Sequence, residues 1–120
     1  MCIRDRVVTV DELMSVQEQL KHVYVDPLVK RYIVDIATQT RRHPDIYLGA
    51  SPRGALALFR VGQAWSAMEG RDYVIPDDIK AITHSGLHHR IILKPEPRIR
   101  GVLPQDILNK ILAEVPVPAV

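Results

Sequence analysis

Cysteine and aromatic residues are scarce in this sequence. Its one cysteine, Cys2, cannot form an intrachain disulfide or complete a zinc shell by itself, which fits a reducing compartment. Aromatic residues make up only 5% of the chain, so a folded core has to consist mainly of aliphatic side chains. A stable fold therefore has to come from aliphatic packing rather than from disulfide or metal crosslinks.

The sequence also lacks a strong excess of positive or negative charge, and it lacks long apolar runs. The chain has 16 Lys and Arg against 14 Asp and Glu, and this formal net charge of +2 is too small for a dedicated nucleic-acid or membrane-surface protein. No segment approaches the roughly 18 uninterrupted apolar residues of a membrane span, and no signal-peptide pattern is found at the N-terminus. We therefore expect a cytoplasmic protein with no membrane partner and no preference for nucleic acid.

Several motifs of catalytic and phosphate-binding sites are absent. The chain contains neither G-x-x-x-x-G-K-[ST] nor G-x-G-x-x-G, the two glycine-rich motifs that bind phosphates. We therefore expect no complete nucleotide site and no ATPase activity from this chain alone. No serine lies in a G-x-S-x-G turn, which argues against a serine hydrolase.

Three histidines have a spacing that occurs in metal sites. His84 and His88 are four residues apart, which places two imidazoles on one helix face, and His89 follows directly. Ser85 stands where a zinc protease has its glutamate, Gly86 weakens a helix between the pair, and no cysteine is near. We expect solvent-facing or hydrogen-bonding histidines and no metal site.

The length and composition of the chain indicate one small globular domain. A chain of 120 residues with 47% apolar and 25% charged residues has the size and composition of a single folded domain. Residues 1–6 show no periodicity and are expected to be a disordered leader or an artefact, which leaves 7–118 as the domain.

Apolar residues recur at helical spacing in most of this domain. Helices are predicted at 9–22, at 27–41, at 52–69, from 76 and from 104. Short extended pieces are predicted at 46–48, 73–74 and 90–93, and a turn or hairpin is predicted around the prolines at 95 and 97. The fold class is therefore mainly α, a small helical bundle with marginal short strands.

The helix at 52–69 is apolar or small on most of its sides. This pattern is expected of an element surrounded by others, so we predict that it is the central helix and that Trp65 anchors the core. In the next helix, Ile79 and Ile82 are expected to point inward.

An arginine, Arg53, lies near the start of the helix predicted at 52–69. In the run Gly49-Ala50-Ser51-Pro52-Arg53-Gly54, Ser51 is expected to cap the helix and Pro52 to open it. Arg53 then lies in the first turn, where the helix dipole favours negative charge, so its placement costs stability unless an anion approaches. The alternative is that Arg53 simply points into water.

Several ordered segments along the chain form one pattern when they are taken together. Its most specific motifs are Gly49-Ala50-Ser51-Pro52-Arg53, Gly70-Arg71-Asp72-Tyr73-Val74, Pro76-Asp77-Asp78-Ile79 and His89-Arg90. Further segments of the pattern are Tyr24-Val25, Tyr32-Ile33-Val34-Asp35, Arg41-Arg42-His43-Pro44 and Val115-Pro116-Val117-Pro118. Together they resemble the C-terminal helical lid of the MoxR-type AAA+ ATPases, over nearly the whole chain from about Val7 to Pro118.

The resemblance implies a role for the start of the third helix. In that family the position matching Arg53 is the sensor-2 arginine, which the lid offers to the phosphates of ATP, while Ser51 and Pro52 place it at the helix start. The sequence departs from the pattern at Ile75, where such lids have an N-cap hydroxyl. The nucleotide-binding core with its Walker motifs and arginine finger is also absent, so the chain resembles a fragment of an ATPase.

The resemblance further implies that the lid closes over ATP and Mg²⁺ bound mainly by the absent core of the same protein. Ring-shaped homo-oligomers, chaperone-like maturation of protein complexes and von Willebrand A domain partners are implied in the same way. Two alternatives stay open: a plain protein-interaction module, and a small nucleic-acid-binding module. The latter would use the basic residues Arg41, Arg42, His43, His88, His89, Arg90, Lys94, Arg98 and Arg100.

Overall fold

The computed structural model describes residues 5–119 of the chain, so most of the predicted leader at 1–6 lies outside the described residues. Within this range the elements are α1 (Val10–Leu20), α2 (Pro27–Arg42), β1 (Ile46–Leu48), α3 (Pro52–Met68), α4 (Pro76–Leu87), β2 (Ile92–Leu93), α5 (Pro95–Ile99) and α6 (Pro104–Glu114). The mainly α fold class is confirmed. No helix in residues 5–119 combines the length and hydropathy needed to cross a membrane.

Local signals explain where the helices begin. The Thr9 hydroxyl accepts a hydrogen bond from the Glu12 N–H at 3.1 Å, as the capping-box spacing predicts. The Asp26 carboxylate accepts one from the Leu28 N–H at 2.8 Å. Proline, whose missing N–H costs nothing in the first turn, opens each helix from α2 to α6, at Pro27, Pro52, Pro76, Pro95 and Pro104.

The segment around the prolines at 95 and 97 differs from the prediction. A short helix, α5, replaces the expected turn or hairpin, because both prolines fall in its first turn, where no backbone N–H is needed. The extended piece at 46–48 is confirmed as β1, whereas the piece predicted at 90–93 is a strand only at Ile92–Leu93, and the two strands pair antiparallel with Ile46 opposite Leu93. Tyr73 forms an isolated parallel bridge with Tyr24.

The core lies mainly between α2, α4 and α6. Its fully buried aliphatic residues come from these helices, from α3 and from the strands, which confirms the expected inward position of Ile79 and Ile82. The principal members are Val29, Ile33, Ile36, Leu58, Ile79, Ile82, Leu87, Leu93, Ile107, Leu108 and Ile111.

Helix α3 packs against α1, α2 and α4, but it is not surrounded on most of its sides as its composition predicts. Its buried face consists of one leucine and of small or polar residues, Gly54, Leu58, Gly62, Gln63 and Ser66. A Cβ on Gly62 would lie 2.8 Å from Cδ1 of Ile79, so α4 approaches α3 where α3 lacks bulk. Trp65 lies on another side of α3 and is 37% exposed, so its assignment as a core anchor was wrong.

The molecule is flat, which explains why so many apolar residues are exposed. Its extents are 49 × 44 × 20 Å, and a thickness of 20 Å accommodates about two helices of roughly 10 Å each. Its radius of gyration of 16.8 Å exceeds the roughly 14 Å of a compact domain of this length. Helix α1 forms as predicted but buries no residue, and Leu13 and Val16 on its apolar stripe are about half exposed.

Candidate functional site

The connection from β1 to α3 is clamped onto the end of α2. The Ala50 N–H donates a hydrogen bond to the Thr40 hydroxyl at 2.9 Å, and that hydroxyl donates to the Ala37 carbonyl at 2.6 Å. On its other side, the Ala50 carbonyl accepts a hydrogen bond from Nε of Arg41 at 2.8 Å. Because Thr40 and Ala50 are both buried, the Ala50 peptide is held firmly on both of its polar groups.

Gly49 allows this connection to run close against α2. A Cβ at this position would lie 2.6 Å from both N and Cα of Arg41 and 2.7 Å from the carbonyl carbon of Thr40. Real side chains essentially never come so close to backbone atoms, so only glycine fits. Close approach to α2 is therefore what requires a glycine at position 49.

The connection leads directly into the predicted site residues. Ser51 has the extended backbone of an N-cap residue, with φ −76° and ψ 170°, but its side chain makes no capping hydrogen bond, unlike the prediction. Ser51, Pro52 and Arg53 are all exposed, so the structure brings the three together at the surface. Pro52 has no N–H and the Gly54 N–H donates to the Ser51 carbonyl at 2.8 Å, so the backbone N–H of Arg53 is the first-turn donor left for an anion.

An open concavity of about 600 Å³ lies beside this helix start. It is lined by Arg41, Tyr47, Leu48, Gly49, Ala50, Ser51 and Arg90. The side-chain stem of Arg90 lies against the first turn of α3, since Cδ of Arg90 is 3.6 Å from the position of a Cβ on Gly54. In the sequence, Arg90 belongs only to the motif His89-Arg90 and to a set of basic residues, and no local signal indicates that it lies near Ser51.

The charge around the concavity is uncompensated. The ion pairs within residues 5–119 involve the cations Lys21, Arg31 and Arg71. None of the arginines near the concavity, Arg41, Arg53 and Arg90, is therefore paired with a carboxylate in the part of the chain that the structure describes. Three neighbouring unpaired arginines favour a polyanionic ligand, because phosphate oxygens accept the parallel N–H bonds of a guanidinium.

A buried ion pair holds the helix that leads to Arg90. Nη1 of Arg71 lies 3.1 Å from Oδ2 of Asp78, whose side chain is 3% exposed. The same carboxylate oxygen accepts a hydrogen bond from the Ile75 N–H at 2.9 Å. Asp78 therefore takes over part of the capping at the start of α4, where Ile75 has no side-chain acceptor of its own.

The histidines at the end of α4 are arranged differently from a metal shell. Nδ1 of His88 lies 2.6 Å from the backbone oxygen of His84, so a backbone contact already occupies this ring nitrogen. Across residues 5–119 no group of three or more His, Cys, Asp or Glu is close enough to hold a metal ion. The expectation that these histidines bind no metal stays a prediction.

Comparison with known proteins assigns the family. Residues 38–111, which run from the end of α2 into α6, match the family described as the AAA lid domain. The chain belongs to this family. The matched range contains the clamped connection, Arg53 and Arg90 of this lid domain.

Individual relatives cover almost the whole lid domain. The uncharacterized protein YeaC of Bacillus subtilis (strain 168) is 39% identical over 112 residues, which are 93% of this chain and 35% of that protein. Chaperone MoxR1 of Mycobacterium tuberculosis is 26% identical over 124 residues, covering 96% of this chain and 33% of that protein. The lid domain therefore spans about a third of the length of the curated relatives it matches.

A solved structure has the same fold. The lid domain superposes on a "putative ATPase" from Cytophaga hutchinsonii with a TM-score of 0.87 and 30% sequence identity. The superposition covers 91% of this chain and 36% of that protein. Together with the MoxR relatives, it confirms the identification of a MoxR-type AAA+ lid domain made from the sequence.

Proposed function

We propose that this lid domain presents Arg53 as a sensor-2 arginine to the γ-phosphate of ATP bound by an ATPase core of the same protein. The observation that carries the proposal is the exposed, unpaired Arg53 at a helix start whose Ser51 side chain provides no cap. An arginine there opposes the helix dipole until an anion arrives, and a phosphate reverses the sign of that interaction. Ser51 and Pro52 set the direction in which α3 begins.

The clamped connection gives this contact a mechanical use. The hydrogen bonds of the Ala50 peptide tie the start of α3 to the end of α2, so Arg53 moves with the body of the lid. A closing lid brings the guanidinium to the phosphates, and loss of the γ-phosphate removes the contact. Hydrolysis is thereby coupled to the angle between lid and core.

ATP and Mg²⁺ are bound mainly by the core in this proposal. The exposed guanidinium of Arg53, together with the backbone N–H of Arg53 in the first turn of α3, fits a phosphate. When bound, the nucleotide supplies the phosphoanhydride bond that is hydrolysed. The lid residues only contact and orient its phosphates.

We further propose the cellular role from the relatives. One of them is named Chaperone MoxR1, which supports a chaperone-like ATPase that matures other protein complexes. A homo-oligomeric ring, a cytoplasmic location and von Willebrand A domain partners complete the proposal. The alternative of a nucleic-acid-binding module has less support, because the outer side of α3 carries the exposed apolar residues Leu56, Val61, Trp65 and Met68.

Substitution of Arg53 in the full-length ATPase tests the sensor-2 role. Arg53→Ala is expected to lower kcat for ATP at least tenfold, because a charge-assisted hydrogen bond contributes about 1.5 to 3 kcal/mol. Arg53→Lys should recover only part of the rate, since an ammonium does not reproduce the planar fork. The melting temperature should stay unchanged because Arg53 is exposed.

Arg60→Ala is the matched control, because Arg60 is an exposed arginine two turns further along α3. This variant should hydrolyse ATP at the parental rate. Parental turnover in Arg53→Ala would remove the sensor-2 role and leave Arg53 as an ordinary surface arginine.

A further inference from the structure

We propose that Arg90 is a second phosphate-contacting residue of this lid, and that it binds the phosphates shared by ATP and ADP. The inference rests on the proposed function, because it concerns the same nucleotide. It assigns to Arg90, at the end of α4, a role separate from that of Arg53 at the start of α3.

The position of Arg90 is fixed by its neighbours. The backbone N–H of Arg90 donates to the carbonyl of Leu87 at 2.9 Å. Leu87 and Ile91, on either side of Arg90 in the chain, are both buried. Its stem packs along the first turn of α3 at Gly54, which has no side chain to block it. The charged end is therefore presented beside Ser51, at the rim of the 600 Å³ concavity.

The guanidinium of Arg90 has no other task in the described part of the chain. Among residues 5–119 it makes neither an ion pair nor a side-chain hydrogen bond. Arg41 on the same concavity differs, since its Nε is engaged by the Ala50 carbonyl at 2.8 Å. Arg41 is thus a structural clamp, whereas Arg90 keeps its donors free for a ligand.

The chemistry of the concavity points to a polyphosphate. Among residues 5–119 no Asp or Glu lines it, so no carboxylate of this part of the chain neutralises Arg41 and Arg90 there. Like charges held near one another repel in the empty state, and a chain of phosphates relieves that repulsion at several points at once. With Arg53 assigned to the γ-phosphate, Arg90 is left to the phosphates that remain in ADP.

This assignment predicts a distinct kinetic signature in the full-length ATPase. A contact made equally in the ground state and the transition state changes KM and leaves kcat unchanged. Arg90→Met, which keeps an apolar stem against Gly54 but removes the charge, should raise KM for ATP about tenfold. It should raise the inhibition constant of ADP by the same factor and change kcat by less than about twofold.

Further variants separate charge from packing. Arg90→Lys should recover part of the affinity for both nucleotides, which a purely structural residue would not do for ADP inhibition. Arg90→Ala also removes the stem, so any additional loss of thermal stability relative to Arg90→Met reports packing. Arg100→Ala, which removes an exposed arginine that does not line the concavity, should keep the parental KM.

The outcomes distinguish the two proposals. Parental KM and ADP inhibition in Arg90→Met would overturn the role of Arg90, while a low kcat in Arg53→Ala would still support the sensor-2 role. A raised KM in Arg90→Met with parental kcat in Arg53→Ala would support Arg90 and contradict the sensor-2 proposal. Weaker binding of duplex DNA by Arg90→Met, with unchanged nucleotide kinetics, would assign Arg90 to nucleic acid and also overturn the inference.

Discussion

Substitution of Gly49 by alanine tests whether close approach to α2 holds the site in place. The added Cβ would lie 2.6 Å from backbone atoms of Arg41, whereas ordinary contact begins at 3.4 Å, so the connection has to retreat by about 0.8 Å. Neither partner in this clash is a flexible side chain that could turn away. The backbone of α2 or the connection itself must move.

The retreat lengthens two hydrogen bonds that have ordinary lengths in the parent. The Ala50 N–H lies 2.9 Å from the Thr40 hydroxyl, and the Ala50 carbonyl lies 2.8 Å from Nε of Arg41. Overpacking costs about 1 to 3 kcal/mol, and an unsatisfied buried donor costs a similar amount. We expect Gly49→Ala to lower the free energy of unfolding by about 2 to 4 kcal/mol, and the melting temperature by about 10 °C for a domain of this size.

Thermal and urea unfolding of the 120-residue chain, followed by circular dichroism, measure this loss. Gly86→Ala is the matched control, because it makes the same chemical change in a helix, where a Cβ meets only Cδ2 of Leu58 at 3.1 Å. Its gain in helix propensity, about 1 kcal/mol, should offset the tight contact and leave stability nearly unchanged. If Gly49→Ala melts within two degrees of the parent, the close-approach argument is wrong.

Within residues 5–119 the buried hydroxyl of Tyr32 has no hydrogen-bond partner, so Tyr32→Phe should leave the free energy of unfolding in urea unchanged or raise it by up to about 1 kcal/mol. A clear loss of stability would reveal a partner for the hydroxyl. Burial, and secondarily the charge of Asp77, raises the pKa of Tyr32 above 10.0, so the folded state keeps this proton to higher pH than the unfolded state. The contribution of the protonated Tyr32 hydroxyl to stability is therefore complete below pH 10 and declines as the pH rises further. Between pH 9 and pH 11, the Tyr32→Phe variant should therefore lose less stability than the parent. Asp78→Asn should lower the free energy of unfolding by about 2 to 4 kcal/mol, because it leaves the Arg71 guanidinium, which is 22% exposed, without its charge partner. An unchanged melting temperature would show that the ion pair makes no net contribution to stability.

Much of the secondary structure was predictable because its signals are local. Helix α2 begins where Asp26 and Pro27 supply an acceptor and a fixed φ, and both act within one turn of themselves. The same holds for the start of α3 at Pro52, which places Ser51 and Arg53 side by side through chain connectivity alone. The sequence therefore determined the order of the main helices and the candidate residue on α3.

Burial was not a local property in this chain. Trp65 is the largest apolar residue of α3, but α4 packs on the face that carries Gly62 and Ser66, because small side chains let two helices come close. The apolar stripe of α1 likewise predicts a helix correctly but does not determine what covers it. Which apolar face becomes core depends on which partner reaches it.

The complete site was decided by tertiary structure. Arg90 meets the start of α3 only because α4 lies along α3 and ends beside Gly54, a contact between positions far apart in the chain. Gly49 is needed because the connection crosses the end of α2, which no backbone preference of the glycine itself would indicate. The sequence by itself specified the helix starts and Arg53, since those interactions span a few residues. The packing of α2, α3 and α4 placed Arg41, Gly49 and Arg90 beside the start of α3.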